Sequence, residues 1–218
     1  MKIGVFDSGI GGKSIANKLQ ADYPTAEIIY VDDRKHVPYG SRTLEDITSL
    51  TDKAIQPLLE KQCDVIVLAC NTATAAAIDI LRDRYPSTPF IGLEPMVKTA
   101  RNLTKSGVVA ICATPFTLDS DRYVKLKNKY AMDIMVLEPD CSDWAQLIER
   151  NQIDSHKITA IINEVCDAGA DVIVLACTHY HWIKEQIIQA ANGRAIVIDP
   201  SDAISRRVKE VLHDEHLL

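Results

Sequence analysis

One heptapeptide occurs twice in the chain. Residues 64–70 read Asp64-Val65-Ile66-Val67-Leu68-Ala69-Cys70, and residues 171–177 repeat them as Asp171-Val172-Ile173-Val174-Leu175-Ala176-Cys177, 107 positions later in a chain of 218. Five consecutive apolar residues, three of them β-branched, bounded by an aspartate and a cysteine, make a short strand with no polar face. Such a strand belongs in a parallel sheet covered on both sides. Fainter echoes surround it. Ile28-Ile29-Tyr30-Val31 after Tyr23-Pro24 is matched by Ile134-Met135-Val136-Leu137 after Tyr130-Ala131-Met132. Phe6-Asp7-Ser8 is matched by Ala113-Thr114-Pro115, and the stretch 89–95 by 195–200. Two α/β halves of about 100 residues, built on one plan, account for all of these.

Strands are expected at Ile3–Phe6, Glu27–Val31, Val65–Ala69, Phe90–Leu93, Val108–Cys112, Ile134–Leu137, Val172–Ala176 and Ala195–Ile198. Amphipathic stretches separate them. In the clearest, Leu44–Lys61, the apolar residues Leu44, Ile47, Leu50, Ile55, Leu58 and Leu59 recur at helical spacing. Strand–helix alternation of this kind predicts the α/β class with parallel sheets.

Composition removes several classes of function. Net charge is −6 without a basic block, which excludes electrostatic capture of nucleic acid. No apolar run approaches the roughly 20 residues that span a bilayer, so no membrane partner is expected. The opening Met1-Lys2-Ile3-Gly4-Val5-Phe6-Asp7 reads as entering a strand directly, so no signal peptide is expected. A cytoplasmic location is expected, where the six cysteines stay reduced. No Cys-x-x-Cys pair exists, and His36, His156, His181, His213 and His216 lack ligand-spaced partners, so no metal is expected. No cofactor is expected either, for neither a dinucleotide fingerprint nor a pyridoxal lysine motif is present.

Ligands of parallel sheets gather beyond the carboxyl ends of the strands, where both repeat cysteines fall. Cys63, Cys112 and Cys166 read as small core hydrophobes, and Cys141 is ambiguous. Cys70 and Cys177 differ because polar residues come directly after them: Asn71-Thr72-Ala73-Thr74 in one case, Thr178-His179-Tyr180 in the other. Each reads as a strand–turn–helix junction, and a helix N-terminus lowers a thiol's pKa. A single cysteine–histidine pair would suggest acyl transfer. Two thiols, one from each half, suit racemisation, in which a base takes a proton from one face of a carbon while an acid delivers one to the other.

Asp7-Ser8-Gly9-Ile10-Gly11-Gly12 is the other marked stretch, with glycines that let backbone N–H groups approach an anion. An aspartate and serine merely capping a tight turn is the plainer alternative. Gly12-Lys13-Ser14 resembles the tail of a phosphate-binding loop, but that pattern needs glycine at position 7, where Asp7 stands.

Asp7-Ser8-Gly9-Ile10-Gly11-Gly12, Pro38-Tyr39-Gly40, Cys70-Asn71-Thr72-Ala73 and Cys177-Thr178-His179-Tyr180, in that order and spacing, resemble the glutamate racemases of the cofactor-independent aspartate/glutamate racemase superfamily. The likeness runs from about Lys2 to beyond residue 200. It implies two similar α/β domains related by pseudo-two-fold symmetry, with the active site between them. The first would be residues 1–94 completed by a C-terminal helix over 201–218, and the second residues 95–200. The resemblance further implies that Cys70 takes the proton from D-glutamate and Cys177 from L-glutamate, with Asp7 and His179 tuning or relaying protons. Ser8, Tyr39, Gly40, Asn71, Thr72, Thr114, Thr117 and Thr178 would join Asp7 and His179 as substrate contacts. Glu149 matches the family's supporting glutamate by spacing, although Ser142, Asp143 and Gln146 depart from the usual pattern before it. A homodimer supplying D-glutamate for the peptidoglycan of bacterial cell walls is the implied setting. A racemase of the same fold acting on another small acid such as aspartate, or a non-catalytic binding protein, remains the alternative.

Overall fold

A computed structural model describes residues 1–214. The chain divides into two compact units, residues 1–93 with the helix Ser201–Asp214, and residues 94–200. The last residues of the expected helix 201–218, with His216 among them, lie outside the described residues.

The first unit contains β1 (Lys2–Asp7), α1 (Lys13–Asp22), β2 (Glu27–Asp32), α2 (Leu44–Ala54), α3 (Gln56–Glu60), β3 (Val65–Leu68), α4 (Asn71–Arg84) and β4 (Phe90–Gly92). Its four strands are all parallel, in the order β2-β1-β3-β4. The second contains α5 (Val97–Leu103), β5 (Val108–Cys112), α6 (Pro115–Asp119), α7 (Asp121–Tyr130), β6 (Met135–Leu137), α8 (Trp144–Glu149), α9 (Ser155–Asp167), β7 (Val172–Leu175), α10 (Lys184–Ala191) and β8 (Ile196–Ile198). Its sheet, β6-β5-β7-β8, is again all parallel and follows the same order. The two halves therefore share connectivity as well as sequence, and all eight expected strands form within a residue or two of their expected ends.

The repeated heptapeptide supplies β3 and β7, each second in its sheet from β4 or β8. Every residue of both strands is 0% exposed, as continuous apolar character requires. In the first unit Ile3, Val5, Val65 and Val67 pack with Ile15 and Leu19 of α1 and with Ile204, Val208 and Leu212 of the C-terminal helix. In the second, Val109, Ile111, Val172 and Val174 pack with Val97 and Ala100 of α5 and Tyr123 of α7. Each such side chain withdrawn from water contributes about 1.5–3 kcal/mol.

The aspartate opening each copy has a job at the other end of the strand. Asp64 Oδ2 accepts the Lys2 N–H at 2.7 Å, where β1 begins. Asp171 accepts Thr104 Oγ1–H at 2.5 Å and the N–H groups of Lys105 and Ser106 at 2.7 and 2.8 Å, just ahead of β5. Both copies thus tie down the chain entering the neighbouring strand.

The amphipathic stretch Leu44–Lys61 is helical as expected and forms two helices, since Pro57 lacks an N–H and cannot continue α2. One expectation is corrected. After Cys177 the chain forms a 3-10 helix, Thr178–Ile183, before α10 begins. Among the described residues no helix is long and apolar enough to cross a membrane.

Candidate active site

In the first unit β1 and β3 lie side by side, so Asp7-Ser8 and Cys70-Asn71 emerge together at the carboxyl edge of the sheet. Cys70 is the N-cap of α4, and its Sγ accepts the Ala73 N–H at 3.4 Å. Ser8 Oγ lies 3.3 Å from the same sulfur. A hydroxyl, a helix N–H and the positive end of a 14-residue helix all favour the thiolate. Asp7 is wholly buried and takes the Gly9 N–H at 2.7 Å, which holds the turn. Gly12 is required by close approach: a Cβ there would stand 2.4 Å from the Asp7 Cβ.

Asn71 and Thr72 are both 4% exposed, and neither polar atom of the Asn71 amide has a partner among the described residues. Leaving such a group buried and unpaired costs about 1–3 kcal/mol, which a ligand's polar groups would recover. Tyr39 follows the cis Val37-Pro38 peptide and packs against Phe6, ring centroids 6.4 Å apart. Its hydroxyl donates to Asp33 Oδ2 at 2.7 Å, and the other Asp33 oxygen lies 2.8 Å from His36 Nδ1. Burial, reinforced by Asp33, holds the Tyr39 phenol well above its ordinary range, so it stays a neutral donor. Gly40 is half-buried in the turn beyond it.

In the second unit Cys177 Sγ lies 3.8 Å from His179 Nδ1, and His179 Nε2 lies 2.6 Å from Glu149 Oε1. A carboxylate only accepts, so Nε2 carries a proton and donates it to Glu149, and Nδ1 faces the thiol. Cys177, Thr178 and His179 are all buried. Glu149, which departed from its expected surroundings in sequence, is brought to His179 by α8. Thr114 N-caps α6 through the Thr117 N–H, and the two threonine hydroxyls lie 3.0 Å apart. The helix-dipole support expected at both cysteines is present at Cys70, whereas Cys177 makes no side-chain cap and is backed by an imidazole–carboxylate pair.

The other four cysteines are buried free thiols. Burial pushes the thiols of Cys63 and Cys166 up. A hydrogen bond with Cys112, together with burial, pushes that of Cys141 far above its ordinary value. Among the described residues no group of three or more His, Cys, Asp or Glu side chains is arranged to hold a metal ion. Sequence reasoning gave no role to Asp33, or to Tyr180, although Tyr180 closes a quoted motif. The signal for Asp33 was its place six residues before Tyr39.

A hydrogen-bonded thiol at a strand end, once with a helix N-terminus and once with an imidazole–carboxylate pair, is the equipment of an acid–base isomerase. The model of the Asp/Glu/Hydantoin racemase family matches residues 13–208, and the chain belongs to that family. It is 36% identical over 220 residues to the glutamate racemase of Pseudomonas paraeruginosa, a match covering 99% of this chain and 83% of the relative. Among solved structures it is similar to Escherichia coli glutamate racemase in complex with L-glutamate and the activator UDP-MurNAc-Ala. That match has a TM-score of 0.89 and 26% identity, covering 97% of this chain and 82% of the other. It is also similar to Francisella tularensis glutamate racemase in complex with D-glutamate, with TM-score 0.82 and 30% identity, covering 100% of this chain and 82% of the other.

Proposed function

We propose that the protein interconverts L- and D-glutamate, with Cys70 and Cys177 as acid and base on opposite faces of the α-carbon. In one direction the Cys70 thiolate removes the α-proton of D-glutamate and the Cys177 thiol delivers one to the other face. In the reverse direction the roles exchange. Ser8 Oγ–H and the Ala73 N–H stabilise the Cys70 thiolate. At Cys177 the proton passes to His179 Nδ1, and the imidazolium so formed is stabilised by Glu149. Asp7, Ser8, Asn71, Thr72, Thr114, Thr117, Thr178, His179 and the Tyr39-Gly40 turn offer hydroxyl, amide, imidazole, carboxylate and backbone groups suited to two carboxylates and an ammonium.

One observation carries this reading. Each unit ends the same strand of the same sheet plan in a buried thiol, already hydrogen-bonded to a group that stabilises or relays its proton. Glutamate as substrate is supported by the names of the relatives. A cytoplasmic location is an expectation from the sequence, and homodimeric assembly and supply of D-glutamate for peptidoglycan rest on the family resemblance.

Proton NMR of L-glutamate and L-aspartate in D2O with the purified protein tests it. The α-proton signal of glutamate alone should disappear, and Cys70→Ala and Cys177→Ala should each stop racemisation. Loss from aspartate alone would reassign the substrate, loss from neither would remove the catalytic reading, and full activity in either cysteine variant would defeat the two-base mechanism.

A further inference from the structure

Tyr180 directly follows the Cys177-Thr178-His179 run, and the chemistry above makes no use of it. It is 0% exposed, and burial holds its phenol well above the ordinary range, so it remains an uncharged donor. The hydroxyl donates to the Cys141 carbonyl at 2.9 Å, across 39 residues of sequence. The same carbonyl accepts the Trp144 N–H at 3.2 Å. The Tyr180 ring meets Trp144 edge-on, with centroids 5.2 Å apart and planes at 69°.

Trp144 is the first residue of α8, and Glu149 is the last. This helix has six residues and no side-chain cap at its N-terminus. So short a helix has little stability of its own, and its place is decided by what its buried residues, Trp144 and Ile148, rest against. At one end an ion pair from Asp143 to Lys157 ties it to α9. On the inner side the Cys141 carbonyl and the Trp144 ring tie it to Tyr180, whose own N–H donates to the Cys177 carbonyl at 3.0 Å. Through Tyr180, the cysteine–histidine segment braces the helix that delivers the carboxylate to its own histidine.

We propose that Tyr180 is a positioning residue for His179: its hydrogen bond to the Cys141 carbonyl and its edge contact with Trp144 set α8 so that Glu149 stays within hydrogen-bond reach of the imidazole. The functional consequence rests on the proposed role of Cys177 and His179. The positioning itself does not.

Tyr180→Phe removes the hydroxyl and keeps the ring. In protein labelled with 15N-histidine, the His179 imidazole resonances are assigned by their loss in His179→Asn. The Nε2–H signal should be deshielded and slow to exchange in the parent chain. In Tyr180→Phe it should move towards its position in Glu149→Gln and exchange faster. With glutamate, kcat/KM should fall roughly 5- to 20-fold, and the primary α-deuterium isotope effect should rise for L-glutamate alone. The double variant Glu149→Gln/Tyr180→Phe should lose less than the product of the single losses, since both act through one imidazole. An unmoved His179 resonance, or losses that multiply, would overturn the proposal. Should Tyr180→Phe fail to fold, Trp144→Phe loosens the same brace from the helix side and is read by the same resonance. Racemisation surviving in Cys177→Ala would defeat the two-base reading and leave the imidazole measurement to decide the brace.

Discussion

Ser8 and Cys70, 62 residues apart in sequence, meet with Oγ 3.3 Å from Sγ. The parallel register of β1 and β3 brings them together, with Phe6 opposite Leu68. Ser8→Ala removes one hydrogen bond to the proposed thiolate, a charged group, a loss of about 1.5–3 kcal/mol or roughly 10- to 100-fold in kcat/KM. Enantiomers have equal free energy in water, so that loss must be the same in both directions. The primary α-deuterium isotope effect has no such constraint and should rise with D-glutamate alone, because the proposed base for that enantiomer is Cys70. An effect confined to L-glutamate would assign the two cysteines the other way round.

Glu149→Gln keeps the shape of the side chain at His179 and removes its charge. A hydrogen bond to a charged group contributes about 1.5–3 kcal/mol, so kcat/KM should fall roughly 10- to 100-fold. The isotope effect should then rise with L-glutamate, opposite to the outcome for Ser8→Ala. Comparing the two variants under identical conditions checks whether the half-sites serve opposite directions. Indistinguishable isotope effects would mean that neither contact bears on proton transfer.

The sheets were legible in the sequence because β3 and β7 are apolar on both faces and can sit only inside a parallel sheet. Cys70 and Cys177 were legible as the residues where those strands stop. The segments after the two cysteines were harder to read: Asn71-Thr72-Ala73-Thr74 continues into a long α-helix, while Thr178-His179-Tyr180 enters a 3-10 turn. Both begin with a polar residue, and periodicity over so few residues does not separate the two. The bonds of Asp64 and Asp171 were hidden although both lie in the repeat. Their partners, Lys2 and Thr104–Ser106, precede neighbouring strands, and strand register cannot be read along one chain. Tyr180 and Cys141 were hidden for a related reason. Their contact joins a motif to a loop 39 residues away, and it involves a backbone carbonyl that leaves no mark on residue choice.

Gly12 has an ordinary helical backbone, φ −65° and ψ −12°, so conformation alone would admit alanine. Space would not. The added methyl would stand 2.4 Å from the Asp7 Cβ and 3.2 Å from Tyr30 Cε2. Tyr30 is itself fixed, its hydroxyl donating to the Gly9 carbonyl at 2.6 Å. Asp7 must therefore yield, and with it the turn that leads to Ser8. Gly12→Ala should cost about 1–3 kcal/mol in urea unfolding and lower kcat/KM beyond the Ser8→Ala value. Parent-like stability and activity would mean that the loop relaxes freely and that Gly12 has no part in placing Asp7.

Asp171 sets an acid limit on the second unit. Burial raises its carboxyl pKa, but hydrogen bonds from Thr104 and from the Lys105 and Ser106 backbone outweigh burial and hold it at about 2. A carboxyl depressed in the folded state stabilises that state above its unfolded pKa, about 3.9. The contribution is lost as pH falls through the folded value. The window thus runs from about pH 4 down to about pH 2. The group is half-buried, and solvent screening reduces the contribution to about 1 kcal/mol. Asp171→Asn should lack this amount at pH 7 and show a flatter decline in unfolding free energy between pH 4 and pH 2.5, measured by denaturant titration at each pH. Since Asp171 lies at the amino end of β7 and Cys177 beyond its carboxyl end, kcat/KM at pH 7 should hold within twofold. A parallel acid decline in parent and variant would show that other carboxylates govern acid stability here.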